Sequence, residues 1–195
     1  MKQAFVIAAL FLASSVAVTV DNSKCGQFPE RGFDDPDMSS FVGHYSNPNY
    51  MFAVTIPDGL VGHDVPPPLP QHGFGVVISL EPRRYFWFDS SANALEWANE
   101  KEALADRLSF LGDEAKTILS VKEQSAMLGK QPGRQQTAAY VCPKSPLERV
   151  QVVILSLRRR GLVDQAVLLT TRQHFDSDHR LFMQAVRSWR VTGKY

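Results

Sequence analysis

Cysteine is scarce in this sequence, and this argues against two kinds of site. The 195 residues include only two cysteines, Cys25 and Cys142, and no C-x-x-C segment. A thioredoxin-like redox centre uses that segment, and a structural zinc site built on sulfur needs more thiolates than two. Neither kind of site is therefore expected.

Motifs that carry catalysis or bind cofactors are also missing. The chain has no G-x-S-x-G elbow, H-E-x-x-H segment, phosphate-binding loop, dinucleotide fingerprint or calcium loop. Each of these motifs fixes the spacing that its chemistry requires. We therefore expect no cofactor and no metal, and the sequence favours a protein that is not an enzyme.

The chain has no strong excess of charge, but its charge is unevenly distributed. Its net charge is +1, with −5 in residues 1–142 and +6 in residues 143–195. The basic end includes Arg158, Arg159 and Arg160, which are candidate binding residues because a basic surface steers an acidic partner or an anionic membrane. The alternative is a solvated hairpin tip. Without a motif of interleaved basic and aromatic residues, no nucleic-acid partner is expected.

The chain has one long uncharged run, and it lies at the N-terminus. Lys2 precedes an apolar stretch that ends in small residues near Ala17. This order predicts a signal peptide over residues 1–20 and a secreted or periplasmic protein without a membrane span after cleavage. The alternative is a retained N-terminal anchor, since a span needs about 20 apolar residues.

Export bears on the two cysteines. In an oxidising compartment Cys25 and Cys142 are expected to form a disulfide bond, although two free thiols are the alternative. A bridge across so long a loop would stabilise the fold by up to ~4–5 kcal/mol. It would tie a Pro- and Gly-rich irregular arm, residues 21–48, to the body of the protein.

The rest of the chain, residues 49–195, reads as a single α+β domain. Alternating or continuous apolar runs predict strands at 49–57, 73–80, 84–88, 116–126, 135–141, 149–157 and 162–171. Helical spacing predicts helices at 93–111 and 177–190. Strand 149–157 is apolar on both faces from Val152 onward, so both sides of its sheet must be covered. We expect an antiparallel sheet of about six to seven strands with amphipathic helices packed on it.

Three segments of this layout resemble the PsbP-like superfamily. Residues 52–59 (FAVTIPDG) match its F-x-V-x-I-P-x-G strand and turn, and residues 129–134 (GKQPGR) are similar to its G-x-P-G/A-x-R hairpin. Residues 182–189, ending in Ser188-Trp189, resemble its closing helix. The resemblance implies an α/β/α sandwich. It also implies a role like that of most members, which are non-catalytic assembly factors, extrinsic subunits and binding modules.

A proline-rich loop supplies the remaining candidate residues. His63, Asp64 and His72 flank Pro67 and Pro68. The prolines pre-order an extended segment that could dock on a partner, or they simply stiffen a surface loop. Three functions stay open: an exported binding or assembly module, a small secreted hydrolase that uses His63, Asp64 and His72, and an envelope protein whose loop inhibits a partner. We expect a monomer with an unidentified protein partner.

Overall fold

The structure is a computed structural model that describes residues 39–64, 72–115, 117–143, 145, 147–158 and 161–193. The predicted signal peptide and most of the predicted irregular arm lie outside these residues. The strands and helices, in chain order, are β1 (Ser40–Phe41), β2 (His44–Asn47), β3 (Phe52–Thr55), β4 (Gly62–Asp64), β5 (Gly73–Leu80), β6 (Arg83–Ala92), α1 (Glu100–Glu114), β7 (Thr117–Leu128), β8 (Gln131–Val141), β9 (Glu148–Arg158), β10 (Leu162–Thr171), α2 (Phe175–Ser188) and β11 (Arg190–Val191).

Eight strands form one antiparallel sheet in the order β1-β4-β5-β6-β10-β9-β8-β7. A small second sheet has the order β11-β3-β2. The predicted α+β class and antiparallel sheet are confirmed. Strands β1 and β2 were not predicted: they lie at residues 40–47, where the sequence indicated an irregular arm. β1 has only two residues, and β2 alternates in burial but has a polar residue, Asn47, at one of its two buried positions.

The central strands are apolar on both faces, and each face is covered by its own helix. On one face, Phe86, Ile154 and Leu168 pack with Phe182 of α2. On the other, Trp87, Val153 and Val167 pack with Leu104 of α1. Successive side chains of a strand point to opposite faces, so one continuous apolar run serves two cores. The sandwich of sheet and two helices is thus confirmed. We call the two sides of the sheet the α1 face and the α2 face.

Helix α1 begins later than the spacing of apolar residues predicted, at residue 100 rather than 93. The Asn93 side chain bonds both backbone groups of Trp97, which holds residues 93–97 in a turn. Asn99 caps the helix instead, since its side-chain oxygen accepts a hydrogen bond from the Glu102 backbone N–H at 3.1 Å. Glu102 in turn accepts one from the Ala98 N–H at 2.8 Å, so the two side chains form a reciprocal cap.

The last helix closes the α2 face together with the small sheet. Trp189, at the end of α2, stacks on Phe52 of β3 with ring centroids 4.3 Å apart. Behind it runs the turn between β7 and β8, where Gly129 has a φ of 59°. A Cβ at Gly129 would lie 1.9 Å from the Trp189 carbonyl oxygen, so glycine is required there. The mid-chain hairpin and the closing helix named in the resemblance therefore meet in space.

No helix in the described part of the chain is long and apolar enough to cross a membrane.

Replacing Asn99 with alanine should lower the free energy of unfolding by about 1 kcal/mol, because it leaves N–H groups of the first turn of α1 without an acceptor. Denaturant titration measures the change. The matched control is Ser109→Ala, also exposed on α1, which should change stability by less than about 0.5 kcal/mol. Equal losses in the two variants would contradict the cap.

Candidate binding surfaces

The structure separates the predicted histidine and aspartate residues of the loop. His63 and Asp64 are neighbours on β4, so their side chains point to opposite faces of the sheet. Asp64 accepts a hydrogen bond from the Ser39 hydroxyl at 2.6 Å. His72 instead lies 3.9 Å from the carboxylate of Asp89 and packs against the ring of Tyr50. His63 and Asp64 therefore lie on opposite faces of the sheet, and Asp64 and His72 have different polar neighbours.

Several other predicted residues lie outside the described part of the chain. These are Pro67, Pro68, Arg159, Arg160 and Cys25. Cys142, the predicted disulfide partner of Cys25, is described: it is buried in the core on the α1 face. The Cys25–Cys142 bridge stays a prediction.

Arg158 is buried, which corrects its prediction as a surface binding residue. Its guanidinium forms a two-pronged ion pair with Asp164, with two N···O distances of 2.7 Å, and the two side chains are 3% and 0% exposed. It also donates hydrogen bonds to the Ser90 hydroxyl and the Tyr50 carbonyl. Burial raises the pKa of Asp164, while the Ser90 hydroxyl and the charge of Arg158 oppose that rise. Arg158 therefore ties the β9–β10 hairpin to β6 and is not available to a partner.

A second buried polar network lies on the α1 face. Asp89 accepts a hydrogen bond from the Gln165 amide at 3.0 Å, and the Gln165 carbonyl accepts one from Arg107 of α1 at 2.8 Å. Burial raises the pKa of Asp89, against the hydrogen bond from Gln165 and the nearby His72 and Arg107. Burial likewise lowers the pKa of Arg107. This network joins α1 to β10 and β6, and its two ends, His72 and Arg107, are partly exposed.

The described residues contain no group of three or more His, Cys, Asp or Glu side chains that could hold a metal ion.

Helix α2 presents arginines to solvent. Its buried side is made by Asp178, Phe182, Ala185 and Val186. Arg180 and Arg187 are exposed and lie two turns apart on the opposite side, with Gln184 between them. We call these three residues the arginine face. Burial lowers the pKa of the neighbouring His179, so that side chain adds no charge at neutral pH.

One of the two acidic side chains of α2 is buried, and the other is exposed. Asp178 of α2 points inward, where it pairs with Arg84 of β6 at 2.8 Å and accepts a hydrogen bond from Thr170. Asp176 is exposed in the first turn and lies four residues before Arg180 on the same side, so it offsets part of the charge of the arginine face. Two arginines against one aspartate still leave a net positive charge. The outer side of α2 is therefore a basic surface, as the charge of residues 143–195 indicated.

The last strand of the large sheet, β7, is the second candidate surface. Of the twelve residues of β7, only Leu128 is fully buried. Leu119, Val121 and Met127 are exposed apolar side chains, at 50%, 38% and 51%. Exposed apolar groups on an outer strand are a feature of strand-pairing surfaces.

Comparison with solved structures identifies the fold. The cyanobacterial PsbP protein CyanoP from Synechocystis sp. PCC 6803 is similar to this chain with a TM-score of 0.55 and 15% identity, over 78% of this chain and 92% of that one. The Ran-binding protein Mog1p of Saccharomyces cerevisiae is similar with a TM-score of 0.51 and 12% identity, over 80% and 96%. The chain has the PsbP-like fold that its three short segments predicted. No protein family model and no curated protein matches the sequence.

Sequence reasoning missed the two buried networks. Asp164 and Gln165 interrupt an otherwise apolar strand between Val163 and Ala166, and Asp89 directly follows an aromatic run. A polar residue inside a strand that is apolar on both faces must find a buried partner, and this was the available signal.

Replacing Arg158 with methionine should lower the free energy of unfolding by about 3–5 kcal/mol, because it leaves the Asp164 carboxylate buried without its partner. Denaturant titration measures the loss. Adding Asp164→Leu to Arg158→Met should recover most of it, since the uncompensated charge is then removed. The exposed Arg187→Met serves as the control. A double variant as unstable as the single one would contradict the ion-pair explanation.

Replacing Asp89 with asparagine should raise stability at neutral pH. The pKa of Asp89 is higher in the folded protein than its ordinary value of 3.8. The folded state therefore binds the proton more tightly than the unfolded state does. Ionisation of Asp89 reduces stability as the pH rises from the ordinary pKa of Asp89 to its higher pKa in the folded protein. The amide of the variant cannot ionise, yet its oxygen can still accept the bond from Gln165. The gain should vanish below about pH 3.8. A loss of stability at pH 7, measured by thermal unfolding, would show that His72 and Arg107 stabilise the carboxylate.

Proposed function

We propose that this chain is an exported, non-catalytic binding or assembly module that holds an acidic protein partner on the arginine face of α2. The observation that carries the proposal is the exposure of Arg180 and Arg187 on one side of α2, where Asp176 is the single acidic side chain because Asp178 is turned inward. Guanidinium groups recognise carboxylates through directed, charge-assisted hydrogen bonds.

The fold gives this proposal a precedent. Mog1p, whose fold the chain shares, is a Ran-binding protein. A sheet covered by helices on both faces leaves its outer helix surfaces free to meet a partner. Export is part of the proposal and rests on the N-terminal sequence, Lys2 followed by an uncharged run to Val20. We include the Cys25–Cys142 bridge for the same reason, because an exported pair of cysteines meets oxidising conditions.

The hydrolase hypothesis receives less support from the geometry. Its three residues have separate surroundings: Asp64 bonds Ser39, and His72 lies beside Asp89. A His–Asp pair at 3.9 Å is longer than the hydrogen bond of about 2.6–3.2 Å that orients a general base. A loss of hydrolytic activity in His72→Ala, with the fold unchanged, would support the hydrolase hypothesis over the binding module.

Reversing the charge of the arginine face should strongly reduce partner recovery. The variant is Arg180→Glu with Arg187→Glu, and the control is Lys101→Glu with Lys130→Glu, which changes the net charge equally at exposed positions outside α2. Tagged forms are expressed in the exporting cell, cross-linked, and their bound proteins quantified by mass spectrometry. We expect a loss on the order of tenfold for the α2 variant and weaker binding at high salt. Equal recovery by the two variants would overturn the assignment of this face. Recovery of lipid instead of protein would show that the arginine face binds an anionic membrane and not an acidic protein.

A further inference from the structure

The two edges of the large sheet differ in length. One edge is β1, which has two residues, whereas the other is β7, which has twelve. Within the described part of the chain, β7 pairs only with β8. An outer strand of this length presents a long row of backbone N–H and C=O groups to another chain. A partner that adds a strand at β7 would satisfy those groups.

The register of β7 shows which of its side chains share a face. Val121 lies opposite Ala138, which packs in the core on the α1 face, so Val121 lies on that face. Ala126 and Leu128 pack in the core on the α2 face, which places Met127 between them on the α1 face. Val121 and Met127 are therefore two exposed apolar side chains on one face, six residues apart. Lys122 and Gln124 lie on the other face.

We propose that β7 pairs with β7 of a second copy of this chain in antiparallel orientation, with Gln124 opposite Gln124. Such a pair has a two-fold axis perpendicular to the sheet. The α1 faces of the two copies then lie on the same side of one continuous sheet, and the α2 faces lie on the other side. Residues of the same face must then lie opposite each other, and the register is fixed by the residue at the axis. With Gln124 at the axis, Val121 of each copy lies opposite Met127 of the other.

Three neighbouring registers are worse. With Ser125 at the axis, Met127 lies opposite Glu123 and both Val121–Met127 pairs are lost. With Lys122 at the axis, two lysines lie directly opposite each other, and with Glu123 at the axis two glutamates do. Like charges directly opposite destabilise a strand pair. With Gln124 at the axis, Lys122 lies opposite Ala126 and both apolar pairs form. The pattern of β7 is thus complementary to itself, which is why we assign the site to a second copy.

The charge on Glu123 is compensated within each chain. Its carboxylate lies 3.6 Å from the guanidinium of Arg134 and accepts a hydrogen bond from Gln136 at 3.1 Å. The pairing therefore buries no unpartnered carboxylate. It joins residues 120–128 of each copy, a contact smaller than the ~1,000 Å² that marks a stable interface. The product is a weak, concentration-dependent dimer, in place of the monomer that the sequence predicts. This inference does not depend on the arginine face.

Cysteine cross-linking tests the register directly. In Gln124→Cys the two new thiols lie on residues whose Cα atoms are about 4.5–5.5 Å apart, within the range of a disulfide bond. The matched control is Ser120→Cys, an exposed position on the same face of the same strand. Two copies of Ser120 would be separated by eight positions along the strand, or roughly 27 Å. Mild oxidation should give a covalent dimer of Gln124→Cys and not of Ser120→Cys, measured against the unchanged chain with its native cysteines.

Sedimentation equilibrium gives an independent readout that needs no cysteine. Val121→Lys should raise the dimer Kd on the order of tenfold, because both Val121–Met127 pairs are lost. Leu119→Lys changes another exposed apolar residue of β7, outside the paired segment, and should leave the Kd within about twofold. The proposal would be overturned if the two cysteine variants cross-link equally or if the two lysine substitutions have equal effects. A monomer at every concentration, or a different protein found paired with β7, would also overturn it.

Discussion

The rest of the structure depends on a sheet whose central strands are apolar on both sides. Strands β6, β9 and β10 send large side chains alternately to the two faces. Such strands are stable only when each face is removed from water, and this requires one helix on each side. The positions of α1, α2 and the small sheet follow from that requirement. The outer surfaces of the helices and the two edges of the sheet are what remains for contacts with other molecules.

Buried polar groups give this double-sided core its specific arrangement. An apolar core alone would let neighbouring elements slide, but Arg158 and Asp164 must meet, and so must Arg84 and Asp178. Arg84 fixes α2 against β6, and Arg158 fixes the β9–β10 hairpin to β6. These arginines are therefore held inside the protein by its own carboxylates. The exposed arginines of α2 are distinctive against that background.

The sequence predicted elements best where the pattern was long. Strands β5 and β10 have the predicted bounds, 73–80 and 162–171. Helix α1 begins later than its pattern predicts, because Trp97 has the right spacing from Leu104 but sits in a turn held by Asn93. Side-chain to backbone bonds of this kind compete with helix formation and leave no periodic signal. The site was less predictable, since the pairing of His72 with Asp89 or of Arg158 with Asp164 depends on the order of strands, which the sequence pattern does not contain.

The contact between Trp189 and Phe52 means that the core on the α2 face needs a residue that is synthesised late. Phe52 belongs to one of the earliest strands, yet its covering ring comes from a residue 137 positions later, and Gly129 must pass behind that ring. A growing chain therefore has no closed α2 core until residue 189 is available. For a chain that we propose to be exported, the α2 core would thus close only after residue 189 has followed the rest of the chain across the membrane.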